Sequence, residues 1–320
     1  MINRIFQNIL ILVIVFFSSA CQNSEETMED QNQKTSKVQA VLKIQNIEFD
    51  LDKKAEIMAD YKDLKSIDVP VNLAPQNKWV MFEGPVLEND LIAYRFYMDS
   101  RHKTDIYGKL TKDLVMDTVG WDYHEIKNWG SDILKVGQSL GIGAPGIYYN
   151  GNVIGFSDYE SKIVSVLEND NDKAEFEFDI KGLKIGGESL DLIQKWSLME
   201  NDPFATVEIE IVKGSLPEDA FFCTGIVKHL KESHIIENSE HLALYSWGLQ
   251  SFHKQNLGMG VTVDKKYYPE FIPDSLNHLV VLKTSENPLK YKFVAAWEKD
   301  VIGISTEDGF AKMLSENASD

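Results

Sequence analysis

The sequence predicts an all-β fold: a large antiparallel β-sandwich with few short helices. Two observations carry this expectation. In 173–180 (KAEFEFDI), Ala174, Phe176, Phe178 and Ile180 alternate with Lys173, Glu175, Glu177 and Asp179. In 206–212, Val207, Ile209 and Ile211 likewise oppose Thr206, Glu208 and Glu210. Period-two alternation places one face of a strand on a core and the other in water. The second observation is a turn: 147–156 (IYYNGNVIGF) reads as a hairpin, with Asn150-Gly151 supplying the positive φ angles of a type I′ turn.

Further strands are expected at 41–49, 77–82, 91–98, 190–199, 221–228, 242–247, 257–263, 277–283 and 291–297. The strand at 91–98 sets Ala93, Arg95 and Tyr97 on one face, against Ile92, Tyr94, Phe96 and Met98 on the other. Helical signals are confined to 54–64 and 308–315. The chain carries no internal repeat and no P-loop. The glycines of GIGAPG (141–146) lack the strand–turn–helix setting of a dinucleotide fingerprint. Many strands with Glu- and Lys-rich outer faces are expected to pack as sheets face to face.

The amino terminus is an address. Arg4 precedes an apolar run, Ile9 to Phe17, and the small residues Ser18, Ser19 and Ala20 lead to Cys21. So short a run does not comfortably span a bilayer core of about 30 Å, which favours a cleaved export signal over residues 1–20. Small residues ahead of a Cys resemble a lipobox, although Ser18 stands where that motif usually carries Leu. Residues 21–39 form an acidic, polar tether with too few apolar groups to offset its ordering entropy. Residues 40–320 are read as one sandwich domain. The expected location is the outer membrane, held by lipid on Cys21 and facing the periplasm or the cell surface. The remaining cysteine, Cys223, then has no partner and is expected inside a strand.

The chain bears a formal charge of −18. Such a field argues against nucleic acid and against broad anionic surfaces as partners, so binding an anion requires locally concentrated cations. Beyond Arg4 there are only two arginines, Arg95 and Arg101. Arginine is preferred where a planar fork must grip a carboxylate; the alternative is a structural ion pair on a sheet.

The densest gathering of reactive side chains is 122–146, which holds Tyr123, His124, Glu125, Trp129, Asp132 and Lys135. Its upstream companion, 83–109, supplies Arg95, Tyr97, Tyr107 and Lys109. Arg95 beside an aromatic suits a sugar ring bearing a carboxylate. Lys228, His229 and His278 are secondary candidates. No His-x-His or His-x₃-His spacing occurs, and no metal or cofactor is called for by the residues.

These segments resemble the domain of unknown function 4861 family of exported proteins from polysaccharide-degrading bacteria. The resemblance rests on Glu88 to Tyr97, on Asp105-x-Tyr107-Gly108-Lys109, and on Tyr123-His124-Glu125 continuing through Trp129-Gly130, Asp132 and Leu134 to Gly137. A later match is Gly225 to His229. It implies a sandwich of the galactose mutarotase and polysaccharide lyase kind, and a setting in polysaccharide breakdown. A similar protein dehydrates ulvan oligosaccharides at a non-reducing-end uronate, so the resemblance implies a carbon–oxygen lyase acting on a uronate-containing oligosaccharide.

That chemistry requires a neutralised carboxylate, a base at C5–H and an acid for the departing 4-hydroxyl. Arg95 is the expected clamp, with Lys135 in reserve, and His124 the expected base or acid. Tyr123 or Tyr107 would be its partner, Glu125 or Asp132 would orient the imidazole, and Trp129 would stack on the sugar. Tyr97, Lys109 and His229 complete the expected binding surface. A carbohydrate-binding lipoprotein that presents glycans for uptake is the alternative, since it needs the aromatics and cations but no acid–base pair. A mutarotase-like isomerase is a third possibility.

If Cys21 is the processing site, mass spectrometry of the native N-terminus will find it lipid-modified. A soluble product with an unmodified Cys21 thiol would refute this.

Overall fold

The computed structural model describes residues 36–45, 60–170 and 172–317; Cys21 and most of the expected 54–64 helix lie outside them. Its ladders are antiparallel and form four sheets, the two largest arrangements being nine-stranded and five-stranded. The fold is all-β and sandwich-like. Among the described residues one α-helix occurs, Glu307–Asn317, and no helix is long and apolar enough to cross a membrane.

The nine-stranded sheet contains the alternating segments. Lys173–Ile185, Glu188–Met199 and Ala205–Lys213 pair in succession, with Phe176 opposite Trp196 and Trp196 opposite Val207. The inward side chains are buried, as period two demands. Against this face lies a five-stranded sheet ordered Val38–Val41, Val86–Asn89, Ile92–Phe96, Thr104–Lys109, Gly130–Asp132.

Strand Ile92–Phe96 joins the two layers and fixes the orientation of the candidate site. Phe96 meets Phe176 and Trp196 at ring separations of 4.7 and 4.6 Å, and Tyr94 meets Phe293 at 4.8 Å. The alternate residues, Ala93 and Arg95, therefore turn away from the main core toward a second cluster containing Phe82, Tyr107 and Tyr123.

A further five-stranded sheet carries the expected hairpin. Gly146–Tyr149 and Asn152–Ile154 pair across Asn150 (φ 50°) and Gly151 (φ 76°). Cys223 lies buried in strand Phe221–Val227 of the same sheet. The helix seats Phe310 and Leu314 on the outer face of the large sheet. A Cβ on Gly258 would stand 2.7 Å from Phe310, so glycine is what permits that close seat.

Several expectations shift. Residues 77–80 are irregular and 81–83 form a 3₁₀ turn, where a strand over 77–82 was expected. Tyr61–Asp63, at the end of the expected helix, is a strand paired with Lys43–Gln45. Strands Val86–Asn89 and Thr104–Lys109 show no alternation to read because every residue in them is buried.

Trp196 touches both layers, and truncation would leave a large cavity. Trp196→Ala should cost about 3–5 kcal/mol in urea unfolding at unchanged secondary structure; a loss under about 1 kcal/mol would show that the two layers do not depend on this contact.

Candidate active site

Arg95 lies at the base of the site with its side chain only 2% exposed. The register sets Asp105 directly across from it on the neighbouring strand, and Tyr107 opposite Asp132 on the next. Antiparallel pairing thus delivers one guanidinium and two carboxylates to the same face. Arg95 Nη2 donates to Asp132 Oδ2 at 2.9 Å, to Tyr97 Oη at 2.6 Å, and to Asp105. Nη1 donates to Tyr123 Oη at 2.8 Å. The rings of Tyr97, Tyr123 and Tyr107 surround the cation at 4.6, 5.0 and 5.4 Å.

The surroundings shift the titrating groups in readable ways. Burial, then the neighbouring Asp132 charge, pushes the Asp105 carboxyl up to about 6 despite its contact with Arg95. Burial likewise raises the Tyr123 hydroxyl to about 12, and the Tyr97 hydroxyl, which donates to Asp105 at 2.7 Å, higher still. Two carboxylates against one guanidinium leave this pocket with formal negative charge when both are ionised.

His124 sits above that excess charge. Its Nδ1 is 3.2 Å from Asp132 Oδ2, the oxygen that also accepts from Arg95, while its side chain is 56% exposed. The carboxylate is itself fixed: Asp132 Oδ1 accepts from the Leu134 amide at 3.3 Å, and the Asp132 amide donates to the Tyr123 carbonyl at 2.8 Å. The imidazole therefore offers its other nitrogen outward, held from behind by a carboxylate, as a general base requires.

The nitrogen opens on a cleft of about 250 Å³. Arg101, Lys103 and Lys135 supply its further cations, and half-exposed Phe252 flanks His124 at a ring separation of 5.8 Å. Arg101 is fixed by Asp99, which accepts from its Nε at 2.9 Å, and by Glu83. Lys103 donates to the Gly137 carbonyl at 2.8 Å, and burial with nearby Arg101 lowers its pKa to about 8.

Backbone strain gathers here. Gln76 (φ 59°), Glu83 (φ 65°) and His102 (φ 46°) all adopt the left-handed region, which costs a non-glycine residue about 1 kcal/mol or more. Gln76 lines the cleft, Glu83 holds Arg101, and His102 separates Arg101 from Lys103.

The sequence model of the family described as Domain of unknown function (DUF4861) matches residues 14–320. The chain belongs to that family. None of the curated proteins matches it. Arg95, Tyr97, Asp105, His124, Asp132 and Lys135, from the segments that carry the sequence resemblance, all line the cleft.

Other expected residues lie elsewhere. Arg95 has its terminal nitrogens committed to protein partners, so it is placed as a scaffold and not as the free clamp expected. Tyr107 and Tyr123 are buried beneath the cleft, outside its lining, and the Tyr107 hydroxyl has no hydrogen-bond partner among the described residues. Asp132, not Glu125, orients His124; the Glu125 carboxylate pairs with Lys127 at 2.7 Å near the surface. Trp129 packs edge-on to Tyr107 at 6.1 Å and lines a separate depression. His229 donates to the Lys135 carbonyl at 2.9 Å, supporting that loop from outside, and burial lowers its pKa. His278 and Lys228 donate to the carbonyls of Leu230 and Asp274.

Lys109 is fully buried, 2.6 Å from the equally buried Glu88, and donates to the Asn89 carbonyl. It holds the sheet together and does not touch the cleft. Lys103, Gln76 and Phe252 line the cleft and were not selected from the sequence. The scarcity of arginine pointed to Arg101; Phe252 arrives from far downstream with no local signal.

Lys109→Met would strand the Glu88 charge inside the sheet, and should cost about 3–5 kcal/mol in denaturant unfolding. Ligand affinity of the folded fraction should stay within about twofold of the parent. A large loss of affinity at unchanged stability would return Lys109 to the binding surface.

Proposed function

We propose that this protein is a carbon–oxygen lyase that removes water from the non-reducing-end uronate of polysaccharide-derived oligosaccharides, with ulvan oligosaccharides as the substrate the family resemblance implies. The observation that carries this reading is His124: an exposed imidazole, held by buried Asp132 at 3.2 Å, at a cleft lined by three further cations.

Each requirement of the elimination has a candidate residue. Exposed Lys135 neutralises the uronate carboxylate, so that electron density from the breaking C5–H bond can spread into it. Arg101 donates to the same carboxylate through Nη1, because Asp99 and Glu83 take its Nε and Nη2. His124 accepts H-5 and becomes imidazolium, which the negative charge of the Asp105–Asp132 pair stabilises from behind. The C5–H electrons form the C4=C5 double bond as the C4–O bond breaks. Lys103, with its pKa lowered to about 8, gives its proton to the departing hydroxyl, which leaves as water. Solvent then takes the proton from His124 and returns one to Lys103. Phe252 offers the apolar ring against which a sugar face can rest. The expected anchor on Cys21 would hold this activity at the outer membrane.

Incubation with saturated uronate-ended oligosaccharides should produce a mass loss of one water and the ultraviolet absorbance of a conjugated enoate. His124→Ala should slow that reaction by roughly a hundredfold or more while retaining oligosaccharide binding. Because Lys103 acts in its protonated form, turnover should fall as pH rises through about 8, and Lys103→Met should remove that limb. Binding without any loss of water would instead identify a glycan-presenting lipoprotein.

A further inference from the structure

A second depression, of about 800 Å³, borders the cleft. Two short segments separate them. In one, Gln76 lines the cleft and Lys78 the depression; in the other, His124 lines the cleft and Asp122 the depression. Residues two apart span at most about 7 Å, so the two hollows adjoin along both segments.

The depression has a built floor. Trp121 Nε1 donates to Tyr61 Oη at 2.9 Å, and that hydroxyl donates to the Lys78 carbonyl at 2.6 Å. The Lys78 ammonium stands 3.5 Å from the centre of the Trp121 ring, and Trp121 rests in turn on Tyr123 at 5.9 Å. Tyr123 is the residue that accepts from Arg95, so the floor is mechanically continuous with the site. Lys43 is occupied with Asp63 and the Asp117 carbonyl. Among the described residues Lys78 meets no carboxylate at ion-pairing distance, and burial lowers its pKa. An ammonium held over an indole, beside Asp117 and Thr118 in the same lining, offers a fixed donor and an aromatic face.

We infer that this depression is a second glycan subsite, which takes the sugars following the terminal uronate and holds them through Lys78 and Trp121. The inference rests on the proposed function, because the ligand of the first cleft decides what emerges from it. The cleft alone, at about 250 Å³, suits one sugar ring and leaves the rest of the chain to the neighbouring hollow.

Calorimetric titration with the free uronate monosaccharide and a uronate-ended tetrasaccharide tests it. The parent should bind the tetrasaccharide about tenfold more tightly than the monosaccharide. Lys78→Met and Trp121→Ala should each bring the tetrasaccharide down toward the monosaccharide's affinity. Lys78→Met leaves the buried cluster untouched, so it remains informative if Trp121→Ala lowers stability. Equal affinities for the two lengths in the parent, or variants that weaken both lengths alike, would overturn the subsite while leaving the lyase reading intact. Failure to bind or turn over either length would overturn the functional reading and the subsite with it.

Discussion

The site depends on one buried cation. Arg95 is enclosed beneath the cleft, and a guanidinium there is tolerable only because carboxylates and phenol oxygens saturate it. Its pairing with Asp105 and Asp132 draws three strands together on one face, and its contacts with Tyr97 and Tyr123 fasten the flanking loops. Asp132 then has only one direction left in which to meet His124. The imidazole's position is thus a consequence of satisfying a charge several ångströms below it. Replacing the guanidinium by an ammonium would keep the charge but lose the fork, and one of these partners would be left unsatisfied.

Strand Ile92–Phe96 divides the work between structure and chemistry. Tyr94 and Phe96 pack into the large sheet through edge-on aromatic contacts, while Arg95 between them faces the polar cluster. The pleat separates these environments by a single residue, so the rigidity of the aromatic core passes directly to the guanidinium. The left-handed backbone at Glu83 and His102 is affordable for the same reason, since the packed layers hold it from both sides. That strain aims Arg101 and Lys103 at the cleft where a relaxed loop would leave their long side chains to solvent.

Legibility followed the periodicity. Where one face of a strand meets water, as in 173–180 or 206–212, alternation identified it and even its inward residues. Where both faces are covered, as in Thr104–Lys109, the pattern vanished, although the equally buried Ile92–Phe96 was legible within 91–98. Residue type fared better than residue role. His124, Asp132, Arg95 and Lys135 were readable as a cluster, yet whether Arg95 gripped a ligand or its own protein depended on the cross-strand position of Asp105, which composition does not encode. Lys109 and Trp129 were misplaced for a related reason: the sequence showed their proximity along the chain, and the fold turned them to other faces.

The charge of the cleft is directional, and this reconciles a −18 chain with the anionic ligand proposed for it. Its lining holds Arg95, Arg101, Lys103 and Lys135 against Asp105 and Asp132, while Asp99 and Glu83 stand behind Arg101. Four cations thus face four carboxylates, and the sum confers no attraction. Position does. Asp99, Asp105 and Asp132 are almost fully buried and bonded on the protein side, whereas Lys135 is exposed and Lys103 half-buried. A ligand approaching from solvent meets ammonium groups first, within a Debye length that screens the acidic surface beyond. In the proposed reaction the carboxylates would act on the ligand only indirectly, by fixing the two arginines and by stabilising positive charge on His124. The acidic majority of the molecule therefore need not oppose binding, provided that the few cations are held at the opening by partners turned away from it.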